Sequence, residues 1–163
     1  MSELARKKLI RILQSAYSGE LAAALAYRGH WKSVKDSKEK EGIKQIEAEE
    51  WEHRECVLGW LEELDAAPSK IREKIFWTIG RALGVLCFVS GWFFPMYFAG
   101  RLESQNTQEY NDAAHFAEQL GMDDCVADMM QMSIKELEHE QFFSRMVTNH
   151  DLLPLVKWIF KWS

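Results

Sequence analysis

The chain is poor in the residues that build turns, disulfides and basic surfaces. Proline occurs 3 times and glycine 9 times in 163 residues, which disfavours a fold of many short strands and tight turns. Strict apolar–polar alternation, a Gly-rich phosphate loop and a Gly-x-Ser-x-Gly nucleophile elbow are all missing. The 3 cysteines, Cys56, Cys87 and Cys125, are scattered and form no CxxC pair. They read as free thiols in a reducing compartment rather than as zinc ligands or a disulfide framework. With 20 Lys and Arg against 25 Asp and Glu, the net charge is −5, so no nucleic-acid surface is implied. Met1 to Arg11 is polar and basic rather than apolar, so no signal peptide is expected.

What the chain has in quantity is Ala, Leu, Glu, Lys and Met, a composition that favours an all-helical fold. Ser2 can cap a first helix over Glu3–Lys32. A second is predicted over Lys38–Leu64, ending before Pro68, and a third, apolar one over Lys70–Gly91. Pro95 suits the first turn of a fourth helix reaching Leu120, with Gly121 as its stop. A fifth covers Asp123–Thr148, and a short sixth carries LLPLVKWIFKWS. From Ala82 to Gly100 no residue is charged. That run is near the minimum length for a bilayer span, but Gly91 and Pro95 interrupt it. It is therefore expected as a buried hydrophobic helix, or one dipping into a membrane surface.

Two stretches are nearly the same: Glu50-Trp51-Glu52-His53 and Glu136-Leu137-Glu138-His139. Residues three apart share a helix face, so each stretch can present a carboxylate and an imidazole together. Bundle proteins with two carboxylate-bridged metals use two such pairs, plus one Glu from each of two further helices. Chance would supply about half a Glu-x-x-His in this composition, so the surrounding helix faces must support the motif. On the second helix, Ile43, Ile46, Val57 and Leu61 flank Glu50 and His53. On the fifth, Met129, Met132, Phe143 and Met146 flank Glu136 and His139. Both pairs thus lie on apolar stripes, where uncompensated charge is costly. Glu49 and Glu52 are assigned to the charged face, and Glu47 and Glu140 to solvated edges.

Glu20, set among small apolar residues, is the only acid between Glu3 and Asp36. On the fourth helix Glu103 begins a stripe of Asn106, Tyr110, Ala113 and Ala117, whereas the face of Glu109 is more polar, so Glu103 is chosen. Glu20 precedes Tyr27 by seven residues and Glu103 precedes Tyr110 by seven. Glu20 lies 30 before Glu50, and Glu103 lies 33 before Glu136. The chain reads as two copies of one unit, a Glu helix followed by a Glu-x-Glu-His helix. Together they offer four glutamates and two histidines, a donor set suited to iron or manganese rather than structural zinc. Tyr27, Tyr110 and Asn106 could orient these ligands or move protons. His30, His115 and His150 fall off the stripes and receive no role.

Ser18-Gly19-Glu20 with Tyr27, Glu50-x-Glu52-His53, the aromatic segment Gly80–Gly100 leading into Glu103-Ser104, Lys135-Glu136-Leu137-Glu138-His139-Glu140 and the terminal Leu153-Pro154-Leu155 resemble the demethoxyubiquinone hydroxylase family. That family lies within the ferritin-like di-iron superfamily, and the resemblance spans nearly the whole chain. The chain departs from the family pattern in lacking paired histidines before Tyr110.

The resemblance implies an all-α, ferritin-like four-helix bundle over residues 1–163, with an additional apolar helix and a short C-terminal amphipathic helix. It implies two iron ions, with Mn/Fe as an alternative, held by Glu20, Glu50, His53, Glu103, Glu136 and His139. The implied activity is O₂-dependent hydroxylation of a quinone-type ring in ubiquinone biosynthesis, by a cytoplasmic protein peripherally associated with a membrane. Leu86, Phe88, Trp92, Phe93, Phe94, Trp158 and Phe160 would form the greasy entrance. Expected partners are a quinone or similar lipid, O₂, an electron donor, the membrane surface and a second copy of the chain, with no nucleic acid. Two other readings stand beside this one: a rubrerythrin- or ferritin-like peroxidase or ferroxidase, and a non-catalytic bundle binding a lipid or partner.

Overall fold

The helices begin where their caps fall. Ser2 accepts from the Ala5 amide to open α1 (Glu3–Ser33), and Asp36 accepts from the Lys38 and Glu39 amides to open α2 (Ser37–Glu63). Ser69 does the same for α3 (Lys70–Leu86) through Arg72. These side-chain oxygens satisfy amides that the first helical turn leaves without partners. α4 (Phe93–Glu118) carries Pro95 in its first turn, where its missing N–H costs nothing. Gly121, in the left-handed region at φ 69°, separates α4 from α5 (Asp123–Val147), and α6 (Leu153–Phe160) follows. The computed structural model describes residues 2–162, and among them every regular element is helical.

α1 pairs with α2 and α4 with α5; the pairs join along α1–α4 and α2–α5. Two apolar clusters fill this bundle. One gathers Leu9, Leu13, Val57, Leu61, Ala117 and Met129. The other gathers Ile43, Met96, Tyr97, Phe143, Val147 and Trp162. On every bundle helix the candidate ligand lies in sequence between residues of the first cluster and residues of the second. The polar layer is therefore closed above and below by core.

The apolar run does not form the expected element. α3 stops at Leu86 rather than Gly91, and Gly91 adopts φ 78° in the turn that separates it from α4. The run is divided between two helices, and no helix of the described residues is long and apolar enough to cross a membrane. Nor is α3 buried. It lies on α1 and buries only Gly80 and Gly84. The contact is backbone against backbone: a Cβ on Gly80 would fall 2.5 Å from the Ala22 carbonyl oxygen, and one on Gly29 would collide with Gly84. Ile71, Ile75, Trp77 and Val85 of α3 face outward.

One further expectation changes. Phe93, assigned to the entrance, lies in the core, stacked on His150 at 4.2 Å. Trp162 folds back against Gly100 and Tyr97, and its indole N–H donates to Glu140 at 2.8 Å. α6 is thus docked on one side by Val156 and exposed on the other, with Trp158 at 79%.

Candidate metal centre

Glu20 on α1, Glu50 and His53 on α2, Glu103 on α4, and Glu136 and His139 on α5 are all buried and converge between the two apolar clusters. Their donor atoms form two groups. Glu20, Glu50, His53 and Glu136 make one; Glu50, Glu103, Glu136 and His139 make the other, with atoms inside each group within 4.8 Å of one another. Glu50 and Glu136 belong to both. The sequence left open which carboxylates would be shared; in the structure these are the two common to both groups.

The contacts between the halves are crossed. Glu136 Oε1 lies 2.9 Å from His53 Nδ1, and Glu50 Oε1 lies 3.4 Å from His139 Nδ1. The Tyr27 hydroxyl donates to Glu103, and the Tyr110 hydroxyl donates to Glu20. Asn106 donates to Glu103 at 3.1 Å and to Glu136 at 3.4 Å. Each tyrosine therefore steadies the glutamate of the other half.

Electrostatically the cluster is under-compensated. Burial and the facing carboxylates push Glu50 and Glu103 well above the ordinary carboxylate range, and burial raises Glu20. Glu136 moves the other way, because contacts with Glu103, His139 and His53 outweigh its burial and hold it ionised. Burial disfavours the imidazolium of His53, but its contact with Glu136 and the neighbouring carboxylates raise it overall.

The fit to a metal is tested by the atoms left over. Glu20 Oε2, both Glu50 oxygens, His53 Nδ1, Glu136 Oε1 and His139 Nδ1 are buried without a hydrogen-bond partner. His53 Nδ1 and Glu136 Oε1 are close but not aligned for a hydrogen bond. Buried polar atoms normally find partners, and a cluster of them offering lone pairs to one space is what divalent cations satisfy. The residues fit two such ions.

Glu49, which sequence reasoning assigned to the solvated face, instead lies against the candidate ligand His139. It accepts from His139 Nε2 at 2.7 Å, and this bond holds its carboxyl below the ordinary range despite partial burial. A histidine that ligates through Nδ1 needs an acceptor for its outer N–H, and that requirement was the available signal. Glu52 faces solvent as expected. Glu47 is buried but held away from the cluster by Arg28 at 2.7 Å and Trp31 at 2.6 Å. Glu109, expected on an outer polar face, is half-buried. His30, given no role, is buried with Nε2 unpartnered.

A cavity of about 550 Å³ lies between α1, α3 and α4 and reaches the cluster at Glu20, Tyr27 and Asn106. Leu86 and Phe94 line it, whereas Phe88 and Trp92 stand on the adjoining turn beside a second, smaller cavity. Trp158 and Phe160 are exposed on α6. Of the seven expected entrance residues, Leu86 and Phe94 line this cavity, Phe93 is in the core, and Phe88, Trp92, Trp158 and Phe160 lie outside its lining.

An all-α bundle with a buried carboxylate–imidazole cluster of this make-up belongs to the class that can hold paired metals between four helices. The family described as ubiquinone biosynthesis protein COQ7 matches residues 7–142. The chain belongs to that family, as its motifs implied. Among curated proteins it is similar to the 3-demethoxyubiquinol 3-hydroxylases of Francisella tularensis subsp. tularensis (strain WY96-3418) and subsp. mediasiatica (strain FSC147). Each is 33% identical over 78 residues, 48% of this chain and 37% of the relative. The match thus spans well under half the length of those relatives. No solved structure matches the chain.

Proposed function

We propose that the chain is a di-iron, O₂-dependent monooxygenase that hydroxylates a quinol-type ring in ubiquinone biosynthesis. The observation that carries the reading is the pair of four-donor groups sharing Glu50 and Glu136, set beside a cavity that opens toward an apolar face. Family membership and the names of the similar proteins support the substrate class.

Glu20 and His53 would hold one iron, Glu103 and His139 the other, with Glu50 and Glu136 shared. The irons would supply the activation of O₂ and the transfer of one oxygen atom to the ring, with two electrons arriving from a donor or from the reduced substrate. An Mn/Fe pair suits the same donors. The protein's own part is positional. Glu49 accepts a hydrogen bond from the outer N–H of His139, so that the Nδ1 lone pair faces inward. Tyr27 and Tyr110 fix the orientation of Glu103 and Glu20. Asn106 links the cluster to the cavity and holds Glu103 and Glu136 at its end. The core layers above and below exclude water.

Peripheral membrane association completes the proposal. The outward faces of α3 and α6 expose Val85, Leu86, Leu155, Trp158 and Ile159, with Lys157 and Lys161 alongside. Such a surface suits the interface of a bilayer holding an isoprenoid substrate.

The test is iron and manganese analysis of purified protein, followed by anaerobic reduction and exposure to O₂ with a short-tailed demethoxyquinol. A product heavier by one oxygen atom, labelled by ¹⁸O₂, is the expected result. Turnover of peroxide or ferrous iron with no ring product would favour a peroxidase or ferroxidase instead.

A further inference from the structure

The wall that α4 gives the cavity beside the cluster is polar at one end only. Along α4 its lining runs Pro95, Phe98, Leu102, Asn106, Glu109, spaced by three or four residues on one helix face. The face changes from apolar near the α3–α4 turn to polar deeper in. Asn106 is committed to Glu103 and Glu136. Glu109 belongs to neither donor group. It sits half-buried in the cavity wall, where burial pushes its carboxyl up, the charge of Glu20 adds to the rise and that of Arg72 offsets part of it. In the other half of the repeat the same position, six residues after Glu20, is Ala26, which lines the cavity without any polar group.

A carboxyl in an apolar wall is costly unless a partner reaches it. Any ring presented to the cluster must lie near Glu20 and Asn106, which puts its substituents within one helical turn of Glu109. We propose that Glu109 is a specificity residue of this cavity: it accepts a hydrogen bond from a ring hydroxyl and so selects the hydroquinone form of the substrate over the quinone. A quinone oxygen brings only lone pairs, and set against a carboxylate it leaves both groups unpaired. Sites built to hydrogen-bond a hydroxyl reject analogues that lack it. The inference rests on the quinol-hydroxylase reading above and names the residue by which that substrate is recognised.

The experiment is anaerobic calorimetry on protein loaded with Mn(II), which fills the cluster without exchanging electrons with the ligand. The probes are a short-tailed methoxy-methyl-benzoquinol and its quinone. Wild-type protein is expected to bind the quinol about ten- to a hundredfold tighter. Glu109→Leu should abolish that preference by weakening the quinol alone. Glu109→Gln, nearly isosteric and so safe for the fold, should narrow it, because the amide can donate to a quinone oxygen. Manganese content equal to wild type shows that the cluster is intact in each variant. Retention of the preference in Glu109→Gln, or equal weakening of both forms, overturns the role of Glu109. Wild-type binding of both forms without preference overturns it too but leaves the hydroxylase reading standing. Wild-type binding of neither form overturns both.

Discussion

The two halves of the bundle carry the same candidate ligands and the same tyrosine, and differ in most of what stands beside them. α1 and α2 supply Glu20, Glu50 and His53; α4 and α5 supply Glu103, Glu136 and His139. Three residues after the first glutamate stands Ala23 in one half and Asn106 in the other. One residue before the second glutamate stands Glu49 in one and Lys135 in the other. Glu49 backs His139, while Lys135 turns toward Glu49 and Glu138. The outer face of α1 is stripped to Ala22 and Gly29 and covered by α3; the matching residues on α4, Gln105 and Asp112, are exposed. Symmetric ligands thus sit in an asymmetric wall, with space on the α1 side and hydrogen-bonding groups on the α4 side. A pair of equivalent halves would grip metals but would give a substrate no reason to approach from one direction.

The largest expected effect concerns the shared ligands. Glu136→Ala removes a donor from both groups and should leave little bound iron, whereas Glu20→Ala should spare the group around Glu103 and His139. Metal analysis distinguishes them, and equal retention in both variants would mean the donors are not divided in this way.

The outer faces come next. Gly29→Leu drives a side chain into Gly84 and should destabilise the protein by about 1–3 kcal/mol and loosen α3. Asp112→Leu, at the matching exposed place, should stay within about 0.5 kcal/mol. Urea midpoints and dye binding read both; similar losses would show that the α1 face is not special.

His30 separates the halves in a different way, since its counterpart is Ala113 in the apolar core. Burial lowers the His30 imidazole from 6.5 to about 4. The folded state therefore binds fewer protons than the unfolded one between those values, and its contribution is full above 6.5 and lost as pH falls toward 4. Between pH 6.5 and 5 the loss is about 2 kcal/mol. Denaturant titrations at the two pH values should show His30→Phe losing that much less than wild type. Parallel losses would place a buried partner on the imidazole.

The last comparison is at Glu49. Glu49→Ala should weaken metal binding about ten- to a hundredfold through His139, while Lys135→Ala should change it little. Competition with a chelator measures both, and a stronger effect of Lys135→Ala would reverse the assignment.

The ligand set was legible because it obeys helical period. Glu-x-x-His puts two donors on one face, and apolar neighbours on that face mark it as inward, which picks out Glu50, His53, Glu136 and His139; Glu20 and Glu103 follow from their apolar faces and from the internal repeat. Glu49 and Glu109 do not, because they lie at the edges of their faces, and edge residues are buried or exposed according to which neighbour arrives. The aromatic residues between Ala82 and Gly100 misled for the same reason. Hydrophobicity says that a residue avoids water, not whether core, ligand or membrane replaces it, and so Phe93 and Phe94 could not be told apart.

By itself, then, the sequence determined the helices, their order, the six candidate ligands and the twofold repeat, since all of these depend on local spacing and on caps written into neighbouring residues. Tertiary structure alone decided that Glu50 and Glu136 belong to both donor groups, that each tyrosine serves the opposite half, and that α3 lies against Gly29 to enclose a cavity whose α4 wall turns polar beside the cluster. Those features depend on where one helix meets another, and contacts between residues far apart in the chain are set by packing rather than by the period of any single helix.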